Sequence, residues 1–490
     1  MEINYSLVGK LLLILILYLS TRLINLSSLP IFNDEGIYLD WGQRMIHSPG
    51  HAFYSLYDGK QPLLMWIFGM ANEIINDPLV AGRLVAVALG GLGMLGIYGV
   101  GGFWAAIVYI VVPLFVFFDR QALMESTIAC VNIWSLFFLI KFRQKKESRW
   151  GLGLGILGGL GLFVKSNAII FCFLPFVYLI YLLVRVKKAK EKQNIFWGLM
   201  IMFVSGLVIL MPLLIQPNAI NIIKMGDRFN LTSKELLSLP IAHWWQNLKA
   251  LGEISLWQLT PPITLLGITG IVWSLKKRSK IILFWFFGAL IISVLTTRNL
   301  NSRYLMPLLI PVSLFAAFGI RYFLKKQKIL SYLILLLFFL PSYISIILIT
   351  NPVVYFNILN RLTPAFSQKG EYVTDNPSGY GLAETRRYLE TKAMANPLYV
   401  GVRLDAGNPE NSLMAYYFKN PKISVIYFDK QLFAPDFPID KLKLDRPLYF
   451  VSRSEHRGGM ENYLIEERRF YKPERKSYFG VYSFINNEKK

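Results

Sequence analysis

Four short basic loops, each set between apolar runs, constrain this chain more than any other feature. Residues 141–149, 185–192, 276–280 and 321–328 hold eighteen Lys or Arg against two acids, Glu147 and Glu191. The runs between them are long enough for helices that cross ~30 Å of hydrocarbon, one or two at a time. Lys and Arg collect in the cytoplasmic loops of membrane proteins. With the amino terminus inside, eleven spans place all four basic loops on one face and residues 351–490 on the other.

Composition agrees: 17% of residues are charged and 54% hydrophobic, against ~25% charged in soluble domains. The net charge of +22 sits largely in the four loops, so it reports orientation in a bilayer and not nucleic-acid binding. Cys130 and Cys172 lie inside apolar runs and offer no disulfide framework. The first apolar segment, residues 7–26, lacks a small-residue cleavage site and reads as an anchor. Residues 78–118 read as two spans turning at Gly99-Val100-Gly101-Gly102, and residues 150–184 as a hairpin broken near Lys165-Ser166-Asn167. The expected architecture is an α-helical polytopic membrane domain, residues 1–350, with outer loops at 27–77 and 216–260. A small soluble extracytoplasmic α/β domain follows at 351–490. Its expected elements are a helix over 381–392 and strands over 397–402, 423–428, 447–451 and 478–484.

Outside the basic loops and the tail, charges gather at the outer face. The acids are Asp34, Glu35, Asp58, Asp119 and Glu125; the bases are Lys60, Arg83, Arg120, Lys165, Arg298 and Arg303. Charges at or within spans are costly and each requires a reason. The stretch Phe32-Asn33-Asp34-Glu35-Gly36-Ile37-Tyr38 reads as a helix start with Asn33 as N-cap. Ile37, Trp41 and Met45 recur at four-residue spacing. The bland reading is an acidic first turn that complements the helix dipole. Glu125 and Arg83 have a bland reading too, as side chains that snorkel or pair with each other. Taken together, carboxylates on one side of a cavity and cations on the other suit an acceptor that loses a proton and a leaving group that carries phosphate.

Several of these stretches resemble, in order, those of the GT-C membrane glycosyltransferases of the protein O-mannosyltransferase and aminoarabinose-transferase superfamily. Asn33-Asp34-Glu35 with Tyr38 resembles the acidic motif of the first outer loop. Lys60-Gln61-Pro62-Leu63 is similar to a Lys-Pro-Pro-Leu stretch, with Gln61 in place of the first proline. Arg83-Leu84 resembles the arginine opening the second span. Arg120 to Glu125 is similar to the second acidic motif, with glutamate where many relatives have aspartate. Gly161 to Asn167 resembles a Gly-rich span ending in lysine, Arg303-Tyr304-Leu305-Met306-Pro307 the late Arg-Tyr-x-x-Pro motif, and Ser378-Gly379-Tyr380-Gly381 a stretch of bacterial members. The resemblance covers roughly residues 5–385.

The resemblance implies transfer of a sugar from a polyprenyl-phosphate donor to a lipid, glycan or protein acceptor outside the cytoplasm, usually with inversion. The enzyme would be a multi-pass protein of the plasma membrane. No Gly-rich nucleotide loop is present, in keeping with a lipid-linked donor. On this reading Asp34 is the general base, Glu35 orients it, and Glu125 positions a cation, the acceptor or a metal. Lys60, Arg83 and Arg303 hold the donor phosphate, with Arg120 and Tyr304 also binding substrate. Some relatives hold a divalent metal ion near these carboxylates and others none, so a metal stays open here. The competing class is a transporter or flippase of lipid-linked sugars. Such proteins tend to show internal repeats and interrupted midplane helices; here no repeat is seen and the polar residues gather at one interface.

Overall fold

The structure, a computed structural model, describes residues 5–276, 280–326, 328–403, 409–428, 445–453 and 464–484. Residues 277–279 and 327, within two of the basic loops, and parts of the tail lie outside the described residues.

The helical part runs α1 (Tyr5–Leu23), α2 (Asn33–His47), α3 (Leu63–Ile74), α4 (Pro78–Gly101), α5 (Phe103–Val111), α6 (Pro113–Asp119), α7 (Glu125–Lys145), α8 (Arg149–Val164), α9 (Ile169–Arg185) and α10 (Ala189–Leu214). It continues through α11 (Asn221–Lys224), α12 (Ser233–Leu237), α13 (Ile241–Trp257), α14 (Pro261–Lys276), α15 (Lys280–Thr296), α16 (Ser302–Leu309), α17 (Pro311–Lys326) and α18 (Lys328–Thr350). Among the described residues α4, α7, α10 and the segment Ser166–Arg185, which contains α9, are each long and apolar enough to cross a membrane. The bent pairs α13–α14 and α16–α17, with angles of 111° and 49°, meet the same requirement as pairs.

Several breaks follow from local chemistry. The second leg of residues 78–118 is split into α5 and α6 because Pro113 pushes Val112 out of the helical region, to φ −73° and ψ 123°. The stretch at 216–260, expected as an outer loop, is largely helical, carrying α11, α12 and α13. Asn351 ends the run of apolar helices: its side chain accepts from the Val354 N–H and caps α19 (Pro352–Leu362).

The tail holds α20 (Leu382–Ala395), α21 (Ser412–Tyr417) and strands β1 (Leu398–Arg403), β2 (Ile423–Phe428), β3 (Leu448–Arg453), β4 (Leu464–Tyr471) and β5 (Tyr478–Phe484). Strand order is β2-β1-β3-β5-β4, parallel among the first three and antiparallel across β3, β5 and β4. The four expected strands are present. β4 escapes the alternation rule because it is an edge strand, largely exposed on both faces, and carries Glu466, Glu467, Arg468 and Arg469.

The tail docks directly on the first outer loop. Phe32 bridges Ser378, and the Asn33 N–H donates to the Pro377 carbonyl at 3.0 Å. A Cβ at Gly379 would lie 2.1 Å from the Ile31 carbonyl oxygen, and Gly381 has φ +93°, so the Ser378-Gly379-Tyr380-Gly381 stretch is a seam only glycines can make. On the outer face of α2, the Tyr427 hydroxyl donates to Asp40 at 2.7 Å and the Arg44 guanidinium lies 4.3 Å from the Tyr427 ring centre. Burial pushes the Asp40 carboxyl above the usual range despite Arg44 and Tyr427.

Candidate active site

The site begins where α2 begins. Phe32, not Asn33, is the N-cap, because the Asn33 backbone is drawn into the seam with Pro377. Phe32 has no side-chain acceptor, so Glu35 reaches back and accepts the Phe32 N–H at 2.9 Å, the carboxylate half of a capping box. Glu35 is wholly buried. It also accepts from the Ala122 N–H at 2.7 Å and from Arg83 Nε and Nη2 at 2.9 and 2.8 Å. Arg83 is sealed as well. Its remaining donors go to the carbonyls of Leu26, Leu29 and Pro30 and to Gln121. The pair therefore ties α2, α4 and the approach to α7 together, and presents no donor to a cavity.

Arg120 behaves the same way. Its guanidinium donates to the carbonyls of Thr21, Arg22, Ile24 and Asn25 at the end of α1. Next to it, Arg22 and Asp119 form a fully buried pair at 3.1 Å. Tyr109 and Ser126 each donate to the other Asp119 oxygen at 2.9 Å. Among the described residues the Arg83 guanidinium is taken up by Glu35, Gln121 and protein carbonyls, and both terminal nitrogens of Arg120 are bonded to protein carbonyls.

Asp34 faces the other way. Arg303, from the first turn of α16, donates to Asp34 Oδ2 at 2.5 Å and to Glu125 Oε1 at 3.3 Å. Asn301 caps that turn by accepting the Arg303 and Tyr304 N–H groups. Lys165, in the break between α8 and α9, donates to the same Glu125 oxygen at 2.9 Å and lies 5.0 Å from the Tyr304 ring centre. Glu125 Oε2 is buried without a hydrogen-bond partner. Lys60 bonds Asp58 at 3.0 Å and lies over the rings of Tyr38 and Trp41, while Gln61 donates to Ser166 at 2.7 Å beside Lys165. Thus the structure brings together Asp34, Glu125, Arg303 and Tyr304, with Lys60 at the margin. Burial raises the Asp34 carboxyl, but Arg303, Lys60 and Lys165 outweigh it and hold it below the usual carboxylate range.

One member of the cluster was not among the expected site residues: Lys165, which carried a signal as an ammonium inside an apolar hairpin. Among the described residues no three His, Cys, Asp or Glu converge as metal ligands. Asp34 Oδ2 and Glu125 Oε1 are paired with cations.

The comparisons with known proteins bear on this geometry. The family described as dolichyl-phosphate-mannose-protein mannosyltransferase matches residues 59–215. No curated protein sequence matches the chain. Among solved structures, ArnT from Cupriavidus metallidurans bound to undecaprenyl phosphate is similar, with a TM-score of 0.55 at 14% identity over 98% of both chains. The same protein in the apo state gives 0.56, again at 14% identity and 98% of each chain. The likeness to these solved structures is one of fold, and the family match covers the segment that carries Lys60, Arg83, Glu125 and Lys165.

Proposed function

We propose that the protein transfers a sugar from a polyprenyl-phosphate donor to an extracytoplasmic acceptor with inversion. The observation that carries this reading is the half-open cluster of Asp34, Glu125, Lys165 and Arg303 at one end of an apolar helical bundle. The side chains of Asp34, Arg303 and Lys165 keep 21%, 15% and 19% of their surface exposed. A donor phosphate would take up Arg303 and Lys165, and Tyr304 would line its approach. Asp34 would accept the proton of the acceptor hydroxyl while that oxygen bonds to the anomeric carbon. The bond from that carbon to the phosphate oxygen breaks in the same step, and the cations hold the charge that develops on the leaving phosphate. Drawing Arg303 toward phosphate weakens its hold on Asp34 and makes that carboxylate a better base when it is needed. Glu35, Arg83 and Arg120 act one layer back by fixing α2 and its neighbours.

The division at residue 350 and eleven crossings with the amino terminus inside complete the reading. Reporter fusions after Arg149 and Lys192 are then cytoplasmic, and the tail is extracytoplasmic. The functional test is purified protein supplied with labelled polyprenyl-phosphate sugar. Release or transfer of label above a heat-inactivated control, lost in Asp34→Asn, is the expected result; no turnover with any such donor removes the reading.

A further inference from the structure

Arg303 stands on a helix interrupted by two prolines. Pro307 lies inside α16, and Pro311 opens α17. A helical carbonyl is normally bonded by the N–H four residues on. Pro307 therefore has no N–H for the Arg303 carbonyl, and Pro311 has none for the Pro307 carbonyl. Ile310 keeps helical dihedrals in front of Pro311, φ −50° and ψ −43°, and the two helices meet at 49°. A carbonyl freed in this way inside an apolar bundle needs a donor from elsewhere. Asn132, from α7, supplies one: its Nδ2 donates to the Pro307 carbonyl at 2.6 Å.

Both halves of the Asn132 amide are used. Trp285, a wholly buried residue of α15, donates its Nε1 to Asn132 Oδ1 at 2.5 Å and stacks on Phe171 of α9, with ring centres 6.1 Å apart. A backbone carbonyl only accepts and an indole only donates, so the orientation of the amide is fixed. An ionised carboxylate at this position could not donate to Pro307, and leucine could do neither. Asn132 comes seven residues after Glu125, two turns along the same face of α7. Helix α7 thus grips α16 at two levels. Glu125 takes the Arg303 guanidinium at 3.3 Å, and Asn132 takes the Pro307 carbonyl. The first contact lies in the half-open cluster, where a ligand can displace it. The second is enclosed by the bundle, with Asn132 and Trp285 both buried.

We propose that Asn132 is a positioning residue for phosphate binding: it anchors α16 through the Pro307 carbonyl, so that Arg303 can leave Asp34 and Glu125 for the donor phosphate without α16 shifting. The ion pairs of Arg303 help to hold α16, and they are also the contacts that a phosphate replaces. With the Asn132 anchor in place, the helix stays ordered while the guanidinium changes partners. Without it, the cost of ordering α16 falls on the binding step. Trp285 serves the same end by holding the amide in the orientation that faces Pro307. This inference rests on the reading that the cluster holds a donor phosphate.

The experiment is a double-mutant cycle read by binding of undecaprenyl phosphate, as a probe, to the full-length protein in zwitterionic nanodiscs. Wild type, Asn132→Leu, Arg303→Ala and the double variant are compared, each with its unfolding temperature recorded. Asn132→Leu is expected to weaken binding by about tenfold when Arg303 is present, and by no more than about twofold in the Arg303→Ala protein, where there is no guanidinium to position. An amide that only stabilises the bundle would lower the unfolding temperature but leave binding by the folded protein unchanged, or weaken it equally with and without Arg303. Either result overturns the inference while leaving the phosphate site standing. Trp285→Phe removes the indole N–H and keeps an aromatic ring in place. It should give the same Arg303-dependent loss at about threefold, and it decides the question by the same comparison if Asn132→Leu does not fold. If wild type does not bind the probe, or Arg303→Ala binds it equally well, the phosphate reading itself fails and takes the inference with it.

Discussion

Two groups of buried charges lie close together at this end of the bundle, and they are built to opposite plans. In one, Arg22, Asp119, Tyr18, Tyr109 and Ser126 interlock, with Arg22 and Asp119 wholly buried. In the other, Arg303 spans Asp34 and Glu125 but keeps part of its surface open, and one Glu125 oxygen has no partner. Both contain an arginine between apolar helices. The first has spent its donors and acceptors on the protein, and the second holds some in reserve. A sealed pair stabilises an arrangement of helices, whereas an open one can exchange protein partners for a ligand. Arg83 with Glu35 belongs to the sealed kind, although the pair stands only one residue from Asp34.

The comparison breaks most sharply at Asp34. Asp34→Asn is expected to lower turnover by ~10²–10⁴ while thermal stability stays close to wild type, since general-base loss is of that order. Glu35→Gln should do the reverse. It leaves Arg83 buried against a neutral amide and should show first as a lower unfolding temperature, with the folded fraction still turning over. If the two variants exchanged these behaviours, the division into open and sealed groups would be wrong.

Within the sealed group, Asp119→Ala should destabilise by ~3–5 kcal/mol, because it strands the Arg22 charge. Replacing both partners together, Arg22→Met with Asp119→Leu, should recover much of that loss. A thermal-shift series in one detergent reads both, and a double variant no better than the single would show that the pair does more than fill space.

Arg303 tests the open group at smaller scale. Arg303→Ala should weaken donor binding by roughly 10–100-fold, in line with ~1.5–3 kcal/mol for a charged hydrogen bond. Arg303→Lys should lose less, because it keeps the charge and forfeits only the planar fork. Equal affinity in all three proteins would move the phosphate elsewhere. The smallest effect is reserved for the seam between tail and loop. Tyr427→Phe removes one hydrogen bond to Asp40 and should cost ~1 kcal/mol of stability with little change in turnover. A large loss of turnover would make the tail's grip on α2 part of catalysis.

How much of this was legible depends on the length scale of the signal. The helical hairpins, the break at Lys165 and four of the five strands follow from local apolar periodicity and turn chemistry. So does the helix over 381–392, observed as Leu382–Ala395. Missed elements share a cause: tertiary context replaces the local signal. β4 is an edge strand with charges on both faces. Asn33 is a good cap by type, yet the tail takes its backbone and moves the cap to Phe32.

What the sequence by itself determined is the class of molecule: apolar runs of spanning length, short basic loops between them, and a set of acids and bases left over outside those loops. Those are properties of composition and period, and they survive any rearrangement of neighbours. Only the tertiary structure decided which of the leftover charges are sealed and which are open. Arg83, Arg120 and Arg303 look alike along the chain. Their fates differ because carbonyls at the end of α1 and just after it close around the first two, while Arg303 meets two carboxylates that lie 269 and 178 residues away. The tail in turn folds back onto the start of α2 through Pro377 and Ser378, a contact that no local pattern encodes.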